Sequence, residues 1–290
     1  MAPCQDEDPR NIGVQMHTLS INRIIRALAI AGVFALASCG GGDVASTQTI
    51  RVSDYSFDMP DVLVGSTVDL EIINDGSVAH ELGLAQIKPG TTVEQINELI
   101  HSGSQIIPEF ILGDPGGINL IGPGERLRYQ RHLQAGSYVV FCPIPFADGS
   151  QHLDVGMIRL FTVSKTRVET LDVADATITL NDDSITLPVL IAGKRSYAIT
   201  NSGTVPHEVY IFGVPTKINP DWDVIGEQGG AWIEGGQVGP PPVEVQMPGG
   251  HQTIPPGETV VLTMTLRPAY SYQFQDFSGD QPIIAEASTK

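Results

Sequence analysis

The sequence predicts an all-β protein of two Greek-key β-sandwich domains, the first with a helical insertion. Three observations predict it. The chain has 290 residues, more than one ordinary domain, and its 31 Gly and 21 Pro are scattered among short apolar runs. Six runs have the length and composition of strands: 49–57, 61–73, 78–85, 126–132, 137–142 and 156–163. Thirdly, the sequence repeats itself. Asn-Asp-Gly-Ser-Val-Ala-His-Glu-Leu from Asn74 returns from Asn201 as Asn-Ser-Gly-Thr-Val-Pro-His-Glu-Val. Ile-Gly-Pro-Gly-Glu from Ile121 returns from Ile254 as Ile-Pro-Pro-Gly-Glu, so the two offsets are 127 and 133 residues. Near-constant offsets point to a duplicated domain, although shared turn chemistry imitates part of such a match.

From the amino terminus, residues 1–38 read as a signal region. Arg23 and Arg26 precede the apolar run 27–37, which has the length of a signal-peptide core and is too short to span a bilayer. The acidic lead of Asp6, Glu7 and Asp8 suits such a signal poorly, and Met16 is the alternative start. The run ends Leu36-Ala37-Ser38-Cys39 and is followed by three glycines, which resembles the lipobox of bacterial lipoproteins. That resemblance implies lipidation of Cys39, anchoring to a lipid bilayer and an exported, periplasmic location. Gly40 stands where an inner-membrane retention signal has Asp, which favours the outer membrane, or the cell surface in a one-membrane cell. The alternative is a plain small-residue cleavage site with an incidental cysteine. Residues 39–47 are small and polar and form the expected tether.

The first domain is expected over 48–164 and the second over 165–290, with the junction near 164–174. Between the third and fourth strand-like runs lies an insertion of about forty residues. Within it, 92–101 has the apolar spacing of a short helix, with Thr91 or Thr92 as its cap. With 41% hydrophobic and 17% charged residues, the chain can bury full cores. A net charge of −17 argues against nucleic acid as a partner and favours a basic one.

Cysteine usage sharpens the reading. With Cys4 removed and Cys39 acylated, only Cys142 remains in the folded body, so no internal disulfide forms. A lone thiol in an oxidising compartment is a liability unless it is buried or bound to a metal. Cys142 opens a segment that also contains His152 and, after Gly156, Met157; His80 comes from an earlier strand. Two imidazoles, a thiolate and a weak thioether form the trigonal set that suits copper. Taken singly, His80 also reads as a strand-end residue, Cys142 as an inert core thiol and Met157 as ordinary core.

This order of residues resembles the cupredoxin family, the blue copper proteins that include plastocyanin and azurin, over about 48–163. The family pattern is an upstream His, then Cys, a loop, His, four residues and Met. The resemblance implies one type 1 copper held by His80, Cys142, His152 and axial Met157. Nine residues separate Cys142 from His152, longer than the plastocyanin loop and nearer that of copper nitrite reductases. Glu81 replaces the Asn that many members carry after the first His, so hydrogen bonding near the sulfur is expected to differ. The loop Pro143-Ile144-Pro145-Phe146 is expected to form an apolar docking patch, with the His152 ring edge near the surface, or else a rigid turn packed into the core.

The second domain is expected to lack copper. Aligning 137–142 with 270–275 puts Gln275 at the thiolate position and leaves Pro282 near that of the second His. His207 then reads as a structural relic, or as part of an interdomain site with His251. His101 and His132 are isolated, no His-x-His pair occurs, and Phe141 precedes Cys142 where copper nitrite reductases have a bridging His. The expectation is a non-enzymatic electron carrier with a redox partner protein. A copper storage or delivery protein and a metal-free scaffold are the alternatives.

Overall fold

A computed structural model describes residues 47–102, 106–164, 170–218 and 221–290. The readings on the signal region, Met16 and Cys39 lie outside the described residues. The fold is all-β, and both halves are sandwiches.

In the first half, β1 (Gln48–Ser53) turns back at Asp54 and Tyr55 into β2 (Ser56–Asp58). β3 (Val62–Leu63) is parted from β4 (Thr67–Asn74) by Gly65 at φ 107°. The long runs 49–57 and 61–73 are therefore each two strands, because a left-handed residue (Tyr55 at φ 68°, Gly65) breaks the extended backbone. β5 (His80–Ile87) leads to helix α1 (Val93–Ser102). Thr92 caps that helix: its Oγ1 accepts from the Gln95 N–H at 3.3 Å, and the Gln95 side chain accepts from the Thr92 N–H at 2.9 Å. The insertion also carries two strands that the sequence did not suggest, β6 (Ile111–Gly113) and β7 (Ile118–Ile121). β8 (Arg126–His132), β9 (Gly136–Phe141) and β10 (Ile158–Val163) complete the half. One sheet runs β2-β1-β4-β8 and the other β3-β10-β9-β5-β6, with β7 on the other end of β5. The chain changes sheets from β4 to β5 and from β8 to β9, as a Greek key requires.

The second half repeats this plan. β11 (Ala176–Asn181), β12 (Ser184–Thr186), β13 (Gly193–Asn201) and β14 (His207–Pro215) precede a helix that the sequence reading missed, α2 (Trp222–Glu234), capped by Asp221. Then come β15 (His251–Ile254), β16 (Thr259–Leu266), β17 (Tyr270–Asp276) and β18 (Ile283–Ser288). Its sheets are β12-β11-β13-β16 and β15-β14-β17-β18. Among the described residues, no helix is long and apolar enough to cross a membrane.

The halves are fused rather than strung together. β16 pairs antiparallel with β8, making one eight-stranded sheet across both. β7 and β15 meet through Gln252 N–H donating to Gly117 O at 3.0 Å and Asn119 N–H to Gly250 O at 3.4 Å. Both glycines are required there: a Cβ on Gly117 would lie 1.9 Å from Leu82 O, and one on Gly250 2.1 Å from Val209 O. Buried Arg131 donates to Glu258 at 2.6 Å, and Arg267 donates to Glu125 at 3.0 Å. One apolar cluster spans the molecule, from Val68 and Ile72 to Val260 and Leu262, each such side chain contributing about 1.5–3 kcal/mol by burial.

Candidate metal centre

The site is built at one end of the first sandwich, where β5 begins and β9 ends. Register brings these two strands together, with Gly83 opposite Phe141, and the Phe141 ring lies where a Cβ on Gly83 would sit. Cys142 is thus delivered just past the end of β9, beside the start of β5. After Cys142 the chain winds into a tight loop: His152 N–H donates to Ile144 O at 2.9 Å, Leu153 N–H to Cys142 O at 3.1 Å, and Cys142 N–H to Met157 O at 3.0 Å. A 3-10 turn, His152–Val155, ends at Gly156 with φ 113° and feeds Met157 into β10.

Three of the four expected ligands converge. His80 Nδ1 lies 3.2 Å from His152 Nδ1, and Cys142 Sγ lies 3.4 Å from His152 Nδ1 and 4.0 Å from His80 Nδ1. All three residues are closed off, at 0%, 1% and 0% exposure for His80, His152 and Cys142. Met157 is fully buried in the same apolar cluster as Cys142, and its N–H donates to His152 O at 3.1 Å. Among the described residues this is the one group of three or more metal-type side chains with converging donor atoms.

Burial governs the protonation of the cluster. It drives both imidazoles down to about 4, His152 being lowered further by His80, so both rings are neutral and present lone pairs at ordinary pH. It pushes the Cys142 thiol up to about 12, despite the hydrogen bond from Glu81 N–H to Sγ at 3.4 Å. His80 Nε2 faces Asp54 Oδ1 at 3.5 Å, and Asp54 is itself held by the Ser77 N–H and hydroxyl at 2.8 and 2.7 Å. At that distance Nε2 is buried without a hydrogen bond, so Asp54 acts on it as a nearby charge, while Nδ1 faces the cluster.

A first-row metal fits this donor set. Donors about 2.0–2.3 Å from a common trigonal centre lie about 3.5–4.0 Å apart, close to the spacing seen here. Two neutral imidazole nitrogens 3.2 Å apart beside a thiol have one another as hydrogen-bond partners and little else, a weak arrangement that a shared cation relieves.

Several expected surroundings differ. The His152 ring is covered rather than exposed: Tyr55 (centroids 4.9 Å) and Phe146 (4.8 Å), both half-buried, pack on it. Ile144 is buried, while Pro143, Pro145 and Phe146 are half-buried, so the loop is part turn and part patch; Ile144 points inward because the loop hydrogen bonds wind it under His152. The Glu81 carboxyl turns away from the sulfur to the Gln252 side chain at 3.1 Å, and burial raises it to about 7. His101 pairs with Asp154 at 3.1 Å, and His132 Nδ1 lies 2.7 Å from the Thr67 hydroxyl.

The second half corrects the alignment by one residue. Tyr210 pairs with Gln275 where Gly83 pairs with Phe141, so Asp276, not Gln275, stands at the Cys142 position. Matching Phe141 to Phe274 by type slipped the strand by one, and a one-residue slip swaps its faces. Glu208 N–H meets Asp276 Oδ1 at 3.4 Å, as Glu81 N–H meets the Cys142 sulfur. His207 Nδ1 lies 2.6 Å from Asp276, and its Nε2 lies 3.1 Å from Asp182. Burial alone would lower His207, but these two carboxylates carry it above its ordinary value. His207 and His251 are not brought together: His251 Nδ1 donates to Gln252 O, and its Nε2 accepts from the Tyr129 hydroxyl at 3.0 Å. Pro282 lines an open groove beside His207, of about 510 Å³. Extending the repeat upstream would have found the Asp54 and Asp182 pair, at an offset of 128. No sequence signal marked Tyr55.

No family model and no curated protein matches the chain. Solved structures that resemble it include a dithionite-reduced auracyanin from Roseiflexus castenholzii, at 21% identity and TM-score 0.29, covering 43% of this chain and 100% of that one. Auracyanin A, a "blue" copper protein from Chloroflexus aurantiacus, matches at 20% identity and TM-score 0.27, covering 41% and 100%. A multicopper oxidase matches at 14% identity and TM-score 0.25, covering 83% and 88%. At these scores the likeness carries no functional weight, and the chain's own side chains must supply it.

Proposed function

We propose that the first half holds one copper ion through His80, Cys142, His152 and Met157, and that the protein is an electron carrier rather than an enzyme. The observation that carries this reading is the convergence of two buried imidazoles and one buried thiol, with the buried Met157 tied through its backbone to Cys142 and His152. A copper ion so bound would supply a one-electron couple. The chain's part is to hold the donors still, which the loop hydrogen bonds support, since a site that changes little on redox change exchanges electrons readily. Tyr55 and Phe146, both half-buried and packed on His152, offer a covered route to the surface, with Pro143 and Pro145 in the same loop as Phe146. The docking partner is a redox protein, and the charge of −17 favours a basic one. The lipobox-like segment at Cys39 supports anchoring to the periplasmic side of a bacterial membrane, the outer membrane by Gly40.

Storage or delivery is the competing reading, and the burial of the donors favours retention over release. Redox cycling in the presence of a copper chelator separates them. A carrier is reduced and reoxidised repeatedly at constant copper content, whereas metal lost to the chelator on reduction would support delivery.

A further inference from the structure

We infer that the second half clamps the site of the first, with Gln237 as the positioning residue for His80; the metal side of this inference rests on the copper reading above. Gln237 lies 158 residues from Ala79 in sequence, yet its side chain makes two hydrogen bonds to that residue's backbone. Its Oε1 accepts from the Ala79 N–H at 2.7 Å, and its Nε2 donates to the Ala79 carbonyl at 3.0 Å. Ala79 is fully buried and immediately precedes His80, and buried backbone groups need partners. Gln237 supplies both at once, in the manner of an added strand.

The backbone is shaped to deliver that side chain. Gln237 follows α2, has φ 56° and is 4% exposed, and its N–H is tied to Trp232 O at 2.9 Å. A left-handed glutamine is held in a conformation that non-glycine residues rarely take. Gly236, at φ 78°, approaches the ligand loop so closely that a Cβ there would lie 3.0 Å from Ala147 N and 3.4 Å from Phe146 Cα. One turn of the second half therefore touches both segments that carry imidazoles: the start of β5, and the loop between Cys142 and His152.

The duplicated position shows that this contact is not a demand of the fold itself. Repeat alignment places Pro206 opposite Ala79; Pro206 has no N–H and is exposed, and His207 beside it opens onto the groove. His207 and Asp276 are themselves buried; what differs is the residue before the histidine, covered at Ala79 and exposed at Pro206.

The test compares the full chain with Gln237→Met, which keeps length and burial but loses both hydrogen bonds, and with Gln237→Glu, which keeps an acceptor for the Ala79 N–H. Amide hydrogen exchange in the metal-free protein should show Ala79 and His80 at least about tenfold faster in Gln237→Met, with Val209 and Ile211 of β14 unchanged, and slowed again in Gln237→Glu. With copper added, Gln237→Met should bind about tenfold or more weakly and show an altered visible spectrum. Uniformly faster exchange in both halves, or unchanged Ala79 exchange, would overturn the clamp. Local loosening at Ala79 in a protein that takes up no copper would sustain the clamp and refute the copper reading instead.

Discussion

The two halves of the molecule share a frame down to individual hydrogen bonds, and they part at the donor side chains. Asn74 donates to Val78 O and Ile121 O, each at 2.8 Å; Asn201 donates to Val205 O and Ile254 O at 2.8 and 2.7 Å. Asp54 holds Ser77 and faces His80; Asp182 holds Thr204 and faces His207. Then Cys142 is answered by Asp276. A soft thiol beside two neutral imidazoles makes a metal-type cluster. A carboxylate 2.6 Å from one imidazole makes an ion pair that needs no metal and holds the ring's proton. With Asp276 in the place of Cys142, and Asp182 closer than Asp54, the corresponding histidine is held toward a charge rather than a lone pair.

The largest expected effect that can break this contrast is proton-linked copper affinity. Because the Cys142 thiol is pushed up to about 12, binding must release its proton. Apparent affinity should rise about tenfold per pH unit between pH 5 and 8, about 4 kcal/mol in all, as read by competition with a chelator of known pH dependence. A flat profile would mean that the thiolate is not a ligand.

The next effect, in the metal-free protein, has opposite signs in the two halves. His80 and His152 fall from 6.5 to about 4 on folding, so the unfolded chain binds more protons in that window. Their contribution is full above about pH 6.5 and is lost as pH falls toward 4, on the order of 3 kcal/mol per ring. His207 is raised, so its contribution is full below 6.5 and is lost as pH rises through its folded value. NMR titration of the three rings, with denaturant midpoints across pH 4–9, checks both signs. A His207 that titrates below 6.5 would remove the contrast.

These contrasts also show what a sequence can carry. The repeat, the strand runs, the Thr92 cap and the residues His80, Cys142 and His152 were legible, because periodicity, turn chemistry and ligand type are local. The position of Asp276 was not, since type-matching put Phe274 opposite Phe141 and strand register is set across the sheet. Tyr55 and Gln237 owe their roles to left-handed backbones and to contacts far along the chain, which no local pattern reports. The burial of His152 follows from the same long-range packing.

The smallest effect concerns Met157. Met157→Leu keeps volume in a fully buried position, so stability should change by less than about 1.5 kcal/mol. Colour should persist and the reduction potential should rise, because an apolar replacement favours the reduced ion. A potential that stays the same in protein-film voltammetry would place the thioether outside the metal's reach.

The most direct measurement is visible absorption with copper stoichiometry for the wild type, Cys142→Ser and His207→Ala. One copper per chain with an intense sulfur-to-metal charge-transfer band is expected in the wild type, abolished by Cys142→Ser and unchanged in His207→Ala. A wild type that binds copper without that band, or a band that survives Cys142→Ser, would contradict a thiolate-bound copper confined to the first half.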